Sequence, residues 1–221
     1  MRVALEVGPR GKRVVAVAPD WPGLSRGAKD AASAVERLLT YIPRYAPVAA
    51  LAGMAEEFAV VDGAEVVEEY AGTGSTDFWG ISFAFSSSDN AAVAPQELER
   101  ELALLQAAWA YFDLVRARVS PEMKRGPRGG GRDRDHIVRH TLAAELDWSP
   151  KLGIRQPLET LLTDEGLREH RAAYVAAIRT LHAEGKPART WPLRYLIRHT
   201  AFHTLDHTWE MEDKDLTPKP A

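Results

Sequence analysis

Apolar and polar positions change rhythm along this chain near residue 90. Before it, short β-branched stretches dominate: "RVALEV" and "RVVAVA" flank the turn "GPRGK", the pattern of a β-hairpin. The next segment, "GAKDAASAVERLLTYIPRY", places Ala31, Val35, Leu38, Leu39 and Ile42 at helical spacing. "FAVVDGAEVVEEY" reads as two more strands about an Asp-Gly turn, and "WGISFAF" as a further strand. "FSSSDNAAVAPQ" is small and polar, as a linker is.

Beyond the linker the periodicity is helical, in four long segments at about 95–119, 133–150, 164–184 and 191–213. Pro95 opens the first, which runs through Leu98, Leu102, Leu105, Trp109, Phe112 and Val115. Asp164 is the expected N-cap of the third, and "EGKP" ends it with a glycine and a proline. Four helices of roughly 20 residues predict a four-helix bundle. Trp109, Trp148, Trp191 and Trp209 are expected to pack it, and Trp148 or Trp209 also suits a pocket wall. The expected fold class is therefore α+β. A small α/β sandwich module occupies residues 1–90, and a helical bundle residues 91–221.

Composition narrows the chemistry. The 221 residues contain no cysteine, which excludes disulfides, thiolate ligands and a cysteine nucleophile. Any transition metal must then sit on imidazole and carboxylate, which suits Zn, Ni, Fe or Mn. A net charge of −3 gives no reason to expect nucleic acid or an anionic membrane as partner. No apolar run approaches the roughly 18 residues that span a bilayer. "MRVALEVGPRGKR" also lacks the apolar core of a signal peptide, so a cytoplasmic location is expected.

Histidine spacing is the strongest chemical signal. "RHTAFHTLDHTWEMED" holds His199, His203 and His207 at intervals of four. At 3.6 residues per turn they lie about 0°, 40° and 80° around the axis, on one face. Such a stripe is a metal site, a pH-sensitive patch or a coincidence of composition. His136 and His140 are four apart on the second long helix. One imidazole from that helix and a His-x-x-x-His pair from the fourth would supply three neutral nitrogens. Three protein ligands leave one position for water or substrate. Asp206 or Glu210 would suit a carboxylate that orients a ligating ring, and Glu145 and Asp147 suit solvated or supporting roles rather than ligation. His170 and His182 read as packing or surface residues.

The segments "AFHTLDHTWEME" and "VRHTLAAELDW" resemble the motifs of the DinB-like superfamily, metal-binding four-helix bundles that include thiol-dependent isomerases and transferases. The resemblance covers roughly residues 92–215 and implies His140, His203 and His207 as metal ligands. The family often follows its last His with Arg-Gly-Gln, whereas Thr208, Trp209 and Glu210 stand here. At the other end, "VVAVAPDWPGLSRGAKDAASAVERLLTYI" resembles the HicB-like fold of antitoxins, over about residues 1–50 and less well over 55–85. No DNA-binding segment accompanies it, so that resemblance implies a fold and not toxin neutralisation.

The loop "KRGPRGGGRDRD" sets five basic residues around three glycines, just before the helix that carries His140. It is either a plain basic connection or a lid that brings Arg128 or Arg132 to a substrate carboxylate. The leading expectation is a metal-dependent transferase or isomerase. It would act on a small substrate, thiol-linked or not, at a three-histidine centre holding a divalent transition metal (Zn, Ni or Fe). The alternative is a non-enzymatic, metal-stabilised binding module whose HicB-like domain docks a protein partner. The expected partner is a small molecule, with neither nucleic acid nor membrane, and a homodimer is allowed.

Overall fold

The computed structural model describes residues 1–126 and 131–218. The chain is α+β. Strands β1 (Arg2–Val7), β2 (Val14–Val17) and β3 (Ser25–Ala28) lead into helices α1 (Ala31–Leu39), α2 (Ile42–Leu51) and α3 (Ala55–Ala59). Strand β4 (Glu65–Ala71) and two short helices, α4 (Gly74–Trp79) and α5 (Ser87–Asn90), follow. Four long helices then appear close to the expected positions: α6 (Pro95–Arg118), α7 (Arg134–Trp148), α9 (Asp164–Ala183) and α10 (Leu193–Lys214). The short helix α8 (Leu158–Leu161) lies between α7 and α9. Two compact units share these elements. Unit one comprises residues 1–109 and 194–202; unit two comprises 110–193 and 203–221 within the described range. The helices α6 and α10 contribute to both units. No described helix is long and apolar enough to cross a membrane.

The sheet of unit one runs in the order β3-β2-β1-β4. The expected hairpin is present: β1 and β2 are antiparallel, with Val7 opposite Val14 and Ala4 opposite Val17. Gly11 supplies the left-handed residue of the turn at φ +63°. Asp77 of α4 then clamps that turn, accepting from the backbone N–H groups of Arg10 (2.7 Å), Lys12 (2.8 Å) and Arg13 (3.2 Å). All four residues of β2 are buried, which is why its sequence is apolar throughout and does not alternate.

Four local expectations are corrected. The single helix expected over 27–45 is interrupted at Thr40 and Tyr41, because Pro43 sits in the first turn of α2, where its missing N–H costs nothing. The first expected strand of "FAVVDGAEVVEEY" is instead the tail of α3, which buries Phe58 against Trp21 (ring centroids 4.7 Å). "WGISFAF" is not a strand, because its backbone has another acceptor. Gly80 ends α4 at φ +67°, and the N–H groups of Phe83 (2.9 Å) and Ala84 (3.1 Å) donate to the fully buried carboxylate of Glu6. Thr76 Oγ1 and Ser82 Oγ (2.6 Å) donate to it as well. The strand β3, "SRGA", has no β-branched residue and was invisible to pattern; it forms by pairing with β2.

The polar stretch expected as a linker belongs to unit one, and two of its residues, Ser86 and Asp89, are buried. Ser86 and Asp89 form a capping box around α5, and Asp89 receives two 2.7 Å bonds from the guanidinium of Arg198 on α10. Arg198 is 7% exposed and also donates to Ser82 Oγ (2.9 Å) and the Ala84 carbonyl (3.0 Å). Burial by itself would lower its pKa; bonding to Asp89 outweighs this and raises it. The next residue, His199, is buried and stacks on Tyr195 (5.1 Å).

Unit two is organised around a second buried guanidinium. Arg171 of α9 meets Glu145 of α7 (NH2 to Oε1, 3.0 Å) and Asp113 of α6 (2.9 Å). Leu142, Leu161 and Leu167 form a buried apolar cluster in the same unit. The cap of α9 is Thr163, whose hydroxyl accepts from Gly166 N–H at 3.1 Å; Asp164, the expected cap, lies one residue inside and pairs with Arg116. Gly166 is required there, since a Cβ would stand 2.2 Å from the Thr160 carbonyl oxygen.

Two stability predictions follow from these contacts. Asp89→Ala leaves a buried charge without its partner and should cost about 3–5 kcal/mol in urea unfolding. Removing the exposed Lys186–Glu184 pair should cost under about 1 kcal/mol. Equal losses from both would contradict the assignment of Asp89. The second concerns His199, which burial and then the Arg198 charge push down to about 3, from 6.5. The folded state thus keeps it neutral while the unfolded state takes up a proton. Its stabilising effect is complete above pH 6.5 and falls as pH drops towards 3, by up to about 1.4 kcal/mol per pH unit. His199→Leu should flatten the fall in unfolding midpoint between pH 6.5 and 4.

Candidate metal centre

Two helices of unit two bring three imidazoles together. Helix α7 starts at Asp133, whose carboxylate accepts from His136 N–H at 2.7 Å, and carries His140 in its second turn. Helix α10 carries His203 and His207 one turn apart, hence on one face. Ring centroids lie 4.5 Å apart for His203 and His207, 4.8 Å for His140 and His207, and 5.3 Å for His140 and His203. One nitrogen from each ring falls within 4.8 Å of the others. His140 is exposed, His203 half-buried and His207 buried, so the cluster opens to solvent on the α7 side. The indole of Trp148 meets His203 edge-on at 5.3 Å.

Glu210 holds this cluster from behind. Its Oε2 lies 2.7 Å from His207 Nδ1, and the same carboxylate accepts from Lys214 Nζ (2.5 Å) and Arg132 NH2 (3.1 Å). Burial would raise the Glu210 pKa. Hydrogen bonds from His207 and Lys214, and the charge of Arg132, overcome this and bring it to about 2. A carboxylate on Nδ1 leaves Nε2 of His207 as the ring nitrogen free to ligate. Partial burial, then the charges of His207 and Arg132, lower the His140 pKa and favour its neutral, ligating form.

The donor set fits a divalent transition metal. Three nitrogens about an ion at roughly 2.1 Å would stand about 3–3.5 Å from one another, a distance that small ring rotations reach from here. The group comprises three imidazoles, and no fourth protein donor joins it among the described residues.

The other candidates from the sequence fall elsewhere. His199 of the same stripe belongs to unit one, packed between Tyr195 and Phe83. His136 is exposed at the start of α7. His170 is buried, with Nδ1 on Gln156 Oε1 (3.1 Å), and His182 lies in the last turn of α9. Glu145, expected to be solvated or supporting, is buried on Arg171 and removed from the metal question. Arg128 lies outside the described residues. Arg132 is tied to Glu210, which places it behind His207. The part played by Lys214 went unseen in the sequence, although its spacing of four from Glu210 is a readable i,i+4 signal.

The class that fold and site define is an α+β chain with a three-imidazole cluster borne on two helices. No family model, curated protein or solved structure matches the chain. The chemistry of the site therefore stands on its own residues.

Glu210→Gln keeps the shape but removes the charge that faces Nδ1. Competition titration against a chelator should show zinc affinity reduced about 10- to 100-fold, with His207 still in place. A change below threefold would mean that Glu210 merely packs there.

Proposed function

We propose that this chain is a metal-dependent, DinB-like protein. It acts as a transferase or isomerase on a small, thiol-linked substrate at His140, His203 and His207. The observation that carries this reading is the three-imidazole group within 4.8 Å, open on its His140 side and without a fourth protein donor among the described residues. Sites with three protein ligands keep a position for water or substrate, whereas structural zinc sites are closed by four. A divalent Zn, Ni or Fe ion supplies Lewis-acid polarisation and a lower pKa for a bound water or thiol.

The chain's own residues do the rest. Glu210 fixes the tautomer and orientation of His207. Trp148 covers one side of His203 and excludes water there. Arg132 gives one N–H to Glu210 and so steadies the carboxylate that orients His207. The N-terminal reading as a HicB-like module is supported by the antiparallel hairpin, the paired β3 and the helix α1 that follows them.

Elemental analysis tests the proposal. Metal-reconstituted wild type should contain one transition-metal ion per chain; His203→Ala and His207→Ala should contain none, and His170→Ala should match wild type. Cobalt-substituted protein should then change its visible spectrum when a small thiol such as 2-mercaptoethanol is added. Absence of stoichiometric metal would overturn the site. A cobalt spectrum indifferent to thiol would instead indicate a closed, structural ion in a binding module.

A further inference from the structure

Away from the histidines, unit one contains a cleft of about 340 Å³ whose wall is built from charges. Four ion pairs line it: Arg2 with Asp20, Arg100 with Glu57 (2.6 Å), and Arg194 with both Glu97 (2.9 Å) and Glu101 (3.3 Å). Arg194 thus serves two carboxylates, so four carboxylates share three guanidiniums. Glu101 is the less closely paired of the two on Arg194. Only 7% of the residue is exposed. Its Oε1 stands 3.3 Å from Arg194 Nε, and its Oε2 is buried with no hydrogen-bond partner among the described residues.

A buried acceptor without a donor is costly, by about 1–3 kcal/mol and more for a charged group. Burial accordingly pushes Glu101 up to about 7, against the opposing pull of Arg194. With Glu101 ionised the wall carries four negative groups against three positive ones, and Glu101 Oε2 is an oxygen that lacks a donor. Trp21 lies beneath Arg100, whose guanidinium sits 4.6 Å from the ring centroid, and with Pro19 and Val61 it forms the apolar part of the wall.

We propose that this cleft binds a small organic amine in its ammonium form, with an N–H donated to Glu101 Oε2 and a short alkyl chain against Trp21. The charge count favours a monovalent cation. A hard divalent ion such as calcium or magnesium takes six or more oxygen ligands, and the neighbouring carboxylate of Glu97 is already engaged by Ala94 N–H (2.9 Å) and Arg194. An anionic ligand meets three guanidiniums that already face four carboxylates; Arg194 Nε makes no hydrogen bond among the described residues, but it lies 3.3 Å from Glu101 Oε1. The cleft volume lies at the small end of ligand pockets and accommodates a short alkylammonium with room to spare. The proposal is independent of the metal centre, since every residue in it belongs to unit one.

Butylammonium is the probe, titrated into the full chain while the Trp21 indole and Glu101 carboxyl resonances are followed by NMR. Saturable shifts of both resonances are expected. Binding should be at least tenfold weaker to butan-1-ol, which has the same length and no charge, and absent for butanoate. Glu101→Gln is isosteric and removes a buried charge, so its unfolding midpoint should equal or exceed that of wild type while butylammonium affinity falls at least tenfold. No saturation with butylammonium, equal affinity for butan-1-ol, or unchanged affinity in Glu101→Gln would each overturn the proposal. The last two would leave the cleft an apolar hollow, and the first would leave Glu101 a neutral, structural carboxyl group.

Discussion

Arg198 is a guanidinium withdrawn almost entirely from water, and the structure around it in unit one is arranged to keep it charged. An unpaired ion there would cost several kcal/mol, so its hydrogen bonds constrain every group that makes them. Asp89 must face it, which orders α5 and its capping box. Ser82 and Ala84 must turn oxygens towards it, and the loop that carries them sends its N–H groups to Glu6. The segment 82–89, four serines and an aspartate with Phe83, Ala84 and Phe85, is thereby threaded between a buried cation and a buried anion. That is how a segment with the composition of a linker comes to belong to the core.

The same logic recurs in unit two with a different outcome. Arg171 joins α6, α7 and α9 through Asp113 and Glu145, a closed arrangement that uses up its charges within the helices. Glu210 is also surrounded by positive groups, Arg132 and Lys214, but one of its oxygens is given to an imidazole. That bond turns one histidine of the stripe into an oriented donor, and it connects the residue after the glycine loop to the metal-facing helix. Where Arg171 makes a structural joint, Glu210 makes a positioned ligand.

Long helices were legible before the structure because their signals are local. Pro95 at the start of α6 and Gly185 after α9 each act within one turn. The hairpin was legible for the same reason. The misread segments are those whose hydrogen bonds go far along the chain. Residues 79–85 have a strand's composition, yet their N–H groups find a carboxylate 77 and 78 residues away. The β3 strand has no β pattern at all and exists because β2 offers it a ladder.

Helical periodicity alone determined that His203 and His207 share a face, since residues four apart on one helix have no alternative. It also placed His136 and His140 as a pair and ruled out thiolate chemistry through the absence of cysteine. Tertiary structure decided which of these histidines meet. It turned His140 and not His136 into the group, and it assigned His199 to the core of unit one. It also gave Glu210, Arg132 and Lys214 their shared bond network and left Glu101 without a donor. Spacing in a helix is settled within one turn of backbone hydrogen bonds. The compensation of a buried charge depends on whichever distant residue the fold brings within about 3 Å, and no local pattern encodes that distance.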